Sequence, residues 1–233
     1  MNESLKYPLI FFHIPKNAGV SVRRILGLDT KYHPKVFKKT TNLAIDIQKY
    51  TDPRIFNSYT KFTVVRNPWD RMVSLYHFRK QQKDLYMNNL GVNKSFGPDG
   101  KVWGFKRWIM DPGIKNVDSN EIYFEMASGA LLKGTKFNVN FLRANIEFIS
   151  QLDVICDLKG NILVNKILRF ENLNEDWNNM FSELNLKPIP QLPSANKSSH
   201  KHYSDYYDDE SQEFISKMFK KDINFFGYEF ERK

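Results

Sequence analysis

Residues 13–21 read HIPKNAGVS, and side chains of these types in this order can hold an anion. Lys16 carries a full positive charge on a flexible stem, Gly19 lets the backbone approach a ligand closely, and Ser21 adds a hydroxyl donor. The run joins a strand-like segment to a helix-like one. That arrangement directs backbone N–H groups to the start of a helix, where unpaired donors and a partial positive charge receive phosphate well. The pattern is not a Walker A loop, which needs G-x-x-x-x-G-K-[ST]; here the lysine precedes the single glycine. The same residues also suit a plain turn, with Lys16 solvated and Gly19 packing the helix.

A second run, RNPWDRMVS over residues 66–74, carries related chemistry. Arg66 stands at the C-terminal end of a predicted strand, the ligand edge of an open α/β sheet. Ser74 lies two turns into the helix that follows. A planar guanidinium fork and a hydroxyl donor can converge on one phosphate. Arg71 is expected to pair with a carboxylate, Asp70 or another, and to hold the helix in place.

The elements that must position these residues follow from hydrophobic patterning. The apolar run at residues 9–14 predicts a strand buried on both faces, stopped by Pro15. Ala18, Val22, Ile25 and Leu26 then fall at helical spacing, with Gly27 as a C-terminal cap. Leu43, Ala44 and Ile47 suggest a short helix. Residues 60–65 predict a second buried strand, rich in β-branched side chains. Asn67 and Pro68 suit the N-cap and first turn of a helix whose core stripe is Trp69, Met72, Val73 and Tyr76, and Asn67 and Asp70 are placed to cap it reciprocally.

Residues 84–120 predict loops and short helices around scattered aromatics. Residues 153–156 and 162–168 read as strands flanking a hairpin turn at 157–161. Residues 172–184 read as a helix with Trp177, Phe181 and Leu184 on one side, and 208–222 as a final amphipathic helix. An aromatic tail at 225–230 is expected to pack back on the core. The repeated strand–turn–helix pattern predicts an α/β fold with a central, largely parallel sheet flanked by helices, within a single domain over residues 1–233.

The chain of 233 residues is long enough to bury a real core, and 41% hydrophobic with 26% charged residues is ordinary for a globular protein. A net charge of +9 favours an anionic partner without naming it. Cys156 is the one cysteine, so no intrachain disulfide forms and the expected compartment is the cytoplasm. One Cys and five dispersed His give no metal-ligand spacing. No stretch approaches the roughly 20 apolar residues of a membrane span. The Lys and Arg are dispersed, and neither an RNP-like nor a helix-turn-helix pattern appears, so no nucleic-acid partner is expected.

Taken together, HIPKNAGVS and RNPWDRMVSLY resemble the PAPS-dependent sulfotransferases, where PAPS is 3′-phosphoadenosine 5′-phosphosulfate. The likeness is to the carbohydrate-type branch that includes heparan sulfate 2-O-sulfotransferases and small bacterial members. LRFENL at residues 168–173 and the tail at 196–230 are similar to later segments of that branch, so the likeness runs through nearly the whole chain in order. Asn17 and Val20 stand where Thr is common in the branch.

The resemblance implies a P-loop-like fold and sulfonate transfer from PAPS to a hydroxyl acceptor, a small molecule or a glycan. PAP, the 3′-phosphoadenosine 5′-phosphate, is the product, and no metal is needed. It implies a 5′-phosphosulfate loop of Pro15, Lys16, Asn17, Ala18, Gly19, Val20 and Ser21, with Lys16 stabilising charge on the bridging oxygen. Arg66 and Ser74 then bind the 3′-phosphate, and the late loop with Lys197, Ser198 and Tyr203 closes over it. His33 lies between the two motifs, where relatives place a catalytic His, and is the expected general base; Lys39 aligns better but needs a strongly lowered pKa.

Two other classes share some of these features. A P-loop-type kinase needs Mg²⁺ and usually an acidic residue at a strand end, and a non-enzymatic module for nucleotides or acidic glycans needs only the charge. Trp103, Phe105, Lys106, Arg107 and Trp108 form an aromatic–basic cluster that suits either a sugar face or a small satellite core.

Overall fold

The computed structural model describes residues 6–28, 47–48, 51–81, 103–110, 148–193 and 201–233. In chain order its elements are β1 (Leu9–Phe12), α1 (Gly19–Ile25), α2 (Pro53–Ser58), β2 (Thr60–Val65), α3 (Pro68–Gln81), α4 (Phe105–Ile109), α5 (Gln151–Ile155), β3 (Lys166–Arg169), α6 (Leu173–Glu183), α7 (Asp209–Met218) and α8 (Lys220–Phe226). Residues 1–66 and 151–197 form one compact unit, and residues 67–150 and 198–233 a second.

The first unit holds a parallel sheet in the order β1-β2-β3. Leu9 pairs with Thr60, and Phe62 with Lys166. All four residues of β1 are buried, because alternate side chains enter opposite faces and both faces are covered. On one face Leu9, Phe11, Phe62, Val64 and Leu168 meet Val22 of α1, Leu26 at its C-cap, and Trp177, Met180 and Phe181 of α6. Phe11 stacks on Phe62 at 5.1 Å, and Trp177 lies 4.7 Å from Phe181. Each such large side chain contributes about 1.5–3 kcal/mol by burial. The fold is therefore α/β, a parallel sheet flanked by helices in the P-loop-like manner, as the strand–turn–helix repeats predict.

Helix α1 ends in a Schellman motif. Gly27 takes φ 68°, Leu28 N–H donates to Arg23 O at 2.9 Å, and Gly27 N–H to Arg24 O at 3.4 Å. Asn185 at φ 52° plays the same part after α6, where Leu186 N–H donates to Phe181 O at 2.9 Å.

Two predicted elements differ. Residues 153–156 are not a strand: Gln151–Ile155 is a helical turn, and the predicted hairpin shrinks to one antiparallel bridge, Cys156 to Ile162. A short apolar run buried all round has no period to separate strand from helix. The turn itself forms as expected, with Asp157 Oδ1 accepting from the N–H groups of Lys159 and Asn161, both at 2.8 Å. The final helix divides into α7 and α8 at Phe219, which is fully buried.

The second unit is organised by α3. Asn67 Oδ1 accepts from Trp69 N–H at 3.0 Å and Asp70 N–H at 3.4 Å, the predicted cap. The helix is buried on most of its circumference, not only along the predicted stripe: Arg71 and Ser74 are buried too. Arg71 Nη1 donates to Ile149 O at 3.3 Å. Asp208 and Ser211 form a capping box at the start of α7. In the tail, Phe230 sets its ring edge-on to Trp69, Tyr203 and Tyr207, and Tyr228 is buried, whereas Phe225 is exposed. Among the described residues no helix is long and apolar enough to cross a membrane. Most of the helix suggested around Leu43 and Ala44 lies outside the described residues.

Candidate functional site

Residues 13–18 leave β1 and enter α1 through two left-handed residues that are not glycine, Lys16 at φ 73° and Ala18 at φ 55°. Each costs about 1–2 kcal/mol relative to a right-handed residue, so the surrounding structure must hold them. Left-handed residues alternating with others turn successive N–H groups toward one concave side, which suits an anion. Ala18 occupies the N-cap position without a side-chain acceptor, and the N–H groups of Gly19, Val20 and Ser21 have no acceptor within the helix. Ser21 is buried and Val20 is exposed.

Gly19 is fixed by packing. A Cβ built there lies 2.0 Å from His13 Nε2, so the imidazole occupies the space a side chain would take. His13 also lies 5.8 Å from the Phe11 ring. Gly19→Ala should destabilise the protein by about 1–3 kcal/mol through overpacking, read as a lowered midpoint in thermal unfolding. Adding His13→Ala should restore most of that loss.

Direct hydrogen bonds and a bridge through Gln151 tie the loop to the end of β2. Arg66 Nη1 donates to Lys16 O at 3.0 Å. The guanidinium lies 3.9 Å from the centroid of the Phe170 ring, and Arg66 is 6% exposed, so the cation is stacked and held. Asn17 is fully buried and turns its side chain inward: Nδ2 donates to Val64 O at 2.8 Å and to Gln151 Oε1 at 2.6 Å. The Asn17 side chain is therefore turned away from any ligand, and its backbone N–H donates to Ile14 O at 3.4 Å. Gln151, also fully buried, accepts from Arg66 N–H at 3.0 Å and donates from Nε2 to Arg66 O at 2.8 Å.

Gln151 and Phe170 are site residues that the sequence reading does not single out. Phe170 stands inside the LRFENL segment, which could have marked it. Gln151 shows one signal, a polar residue within an apolar stretch.

The second unit holds Ser74, buried on α3, and Tyr203. The Tyr203 hydroxyl accepts from Glu231 N–H at 2.8 Å, and burial pushes its phenol above the usual range. His33, Lys197 and Ser198 lie outside the described residues. His77 Nε2 meets the Tyr206 hydroxyl at 3.0 Å, and His202 Nδ1 the Ser204 hydroxyl at 2.8 Å.

The aromatic–basic cluster divides. Trp108 and Phe105 are buried against Tyr76 and each other and fill a core. Trp103 is partly exposed, with the Arg107 guanidinium 4.6 Å from its ring centroid. Lys106 is engaged by Asp208 at 2.5 Å and Glu210 at 2.8 Å, which raise its pKa to about 12.

A loop with two left-handed residues, an inward-held Asn17, the Lys16 ammonium and a stacked arginine bound to its backbone can receive an anionic group and stabilise developing negative charge. Residues 3–229 match the sulfotransferase family. No curated protein matches the chain, and no solved structure does.

Proposed function

The chain belongs to the sulfotransferase family and is a sulfotransferase; from that premise we propose that it moves the sulfonate of PAPS onto a hydroxyl of a carbohydrate, releasing PAP. The observation that carries the donor assignment is the Lys16 loop, with left-handed residues at 16 and 18 and Arg66 bonded to its backbone. These residues fit a phosphosulfate: the loop supplies backbone donors and one ammonium for a single anionic group, and Arg66 holds the loop through Lys16 O. PAPS supplies the activated sulfonate. Lys16 stabilises the negative charge left on the phosphate oxygen as the acceptor oxygen takes the sulfur, in the manner of phosphoryl transfer.

Arg66 and Ser74 bind the 3′-phosphate in this reading, and the segment of Lys197, Ser198 and Tyr203 closes over it. The whole of residues 1–233 acts as one catalytic domain, which the match over residues 3–229 supports. A glycan acceptor is supported by Trp103, a partly exposed ring beside Arg107. A cytoplasmic setting is supported by Cys156, a lone free thiol.

The reading is tested by transfer of labelled sulfonate from PAPS to a panel of glycans, phenols and small alcohols, with thermal stabilisation by PAP measured beside ATP with Mg²⁺ and oligonucleotides. Transfer to a glycan and stabilisation by PAP alone are expected. Stabilisation by ATP with Mg²⁺, without transfer from PAPS, would replace the reading with a kinase-like one.

His33 is the proposed general base for the acceptor hydroxyl. His33→Gln and His33→Ala should lower turnover at saturating PAPS and acceptor by on the order of a hundredfold. A loss below about tenfold assigns the proton to another group.

A further inference from the structure

We infer that Asn17 and Gln151 form a buried clasp that positions the loop for transfer, setting the backbone that follows Lys16 against the strand end that carries Arg66. The inference rests on the sulfonate-transfer reading of this site and adds two positioning residues to it. Neither side chain touches a ligand, since both are fully buried.

The two side chains make the following hydrogen bonds, while the Asn17 Oδ1 meets no partner among the described residues. Gln151 pairs with the main chain of Arg66 as a strand residue does, accepting from its N–H at 3.0 Å and donating to its carbonyl at 2.8 Å. Its Oε1 also accepts from Asn17 Nδ2 at 2.6 Å, so one amide binds the strand end and the loop together. The Asn17 amide carries two hydrogens on one nitrogen and serves two acceptors, Val64 O at 2.8 Å and Gln151 Oε1. A threonine at this position has a single hydroxyl hydrogen and can satisfy only one of them. An asparagine at 17 therefore reaches both acceptors, where a single hydroxyl reaches one. Asn17 stands between the two left-handed residues, Lys16 and Ala18, whose conformations a free loop would relax.

Positioning errors of about 1 Å can cost on the order of a hundredfold in rate, so the clasp should appear in turnover and not only in stability. The experiment measures kcat and KM for PAPS, the effect of PAP on thermal unfolding, and Tm without ligand, for wild type, Asn17→Ala, Gln151→Ala, the double variant and Asn17→Thr. Each single alanine variant is expected to lower kcat at saturating PAPS by about tenfold or more, with a smaller change in KM. The double variant should lose no more than the worse single one, because both act through one contact. Asn17→Thr keeps one of two bonds and should fold, with turnover reduced severalfold; it decides the question if Gln151→Ala does not fold.

Normal kcat with a lowered Tm in these variants overturns the clasp and leaves the transfer reading standing, as do losses that simply add. Higher turnover in Asn17→Thr does the same. A wild type that neither transfers sulfonate from PAPS nor is stabilised by PAP overturns the transfer reading and the clasp with it.

Discussion

Lys16→Ala is expected to lower turnover by on the order of a hundred- to a thousandfold, while PAP affinity falls far less. The charge it meets on the bridging oxygen exists mainly in the transition state, and an interaction stronger there than in the ground state acts on kcat. The backbone contributes the opposite way. Lys16 O accepts from Arg66 Nη1 whatever the side chain is, so alanine leaves the anchoring of the loop intact. Alanine also tolerates the left-handed φ of 73° no worse than lysine does. The check is single-turnover transfer beside equilibrium binding of PAP. A variant with near-normal turnover removes Lys16 from the chemistry and the proposed mechanism with it.

Arg66→Ala should weaken PAP binding by about 10–100-fold, on the scale of a lost charge-assisted hydrogen bond of about 1.5–3 kcal/mol, and should weaken AMP binding much less. AMP lacks the 3′-phosphate, so the difference between the two ligands isolates that group. Some loss for AMP is expected as well, because the same guanidinium binds Lys16 O and stacks on Phe170. Arg66→Lys should restore little, since an ammonium has neither the planar fork nor the stacking face. Ser74→Ala should follow the same PAP-over-AMP pattern at about tenfold or less, the scale of a neutral hydrogen bond. Equal losses for the two nucleotides would make Arg66 a support of the loop alone. Titration calorimetry or displacement of a fluorescent nucleotide reads either outcome.

The sequence by itself determined the elements whose signals are local. The four apolar residues of β1, the β-branched run of β2 and the Asn67–Pro68 start of α3 each carry their own period or cap within a few residues. So does the loop between β1 and α1, where residue type and spacing alone mark Lys16 and Gly19. The family resemblance rests on the same local runs. Local pattern failed where burial on all sides erases the period, as at residues 151–156, and where one amphipathic run divides into two helices, as at Phe219.

What only the tertiary structure decided is which side chains hold the site. The inward turn of Asn17 depends on Val64 and Gln151, respectively 47 and 134 residues away in the chain. Gln151 meets Arg66 across 85 residues, and Phe170 reaches Arg66 only because β2 and β3 lie side by side in parallel. The need for glycine at 19 comes from the His13 ring, which fills the space a Cβ would take. Patterning and capping act over one or two turns of chain, whereas a hydrogen bond or a ring stack forms wherever the sheet brings donor, acceptor and ring together. The chemistry of the loop was therefore written in its own residues, and its geometry in residues elsewhere in the chain.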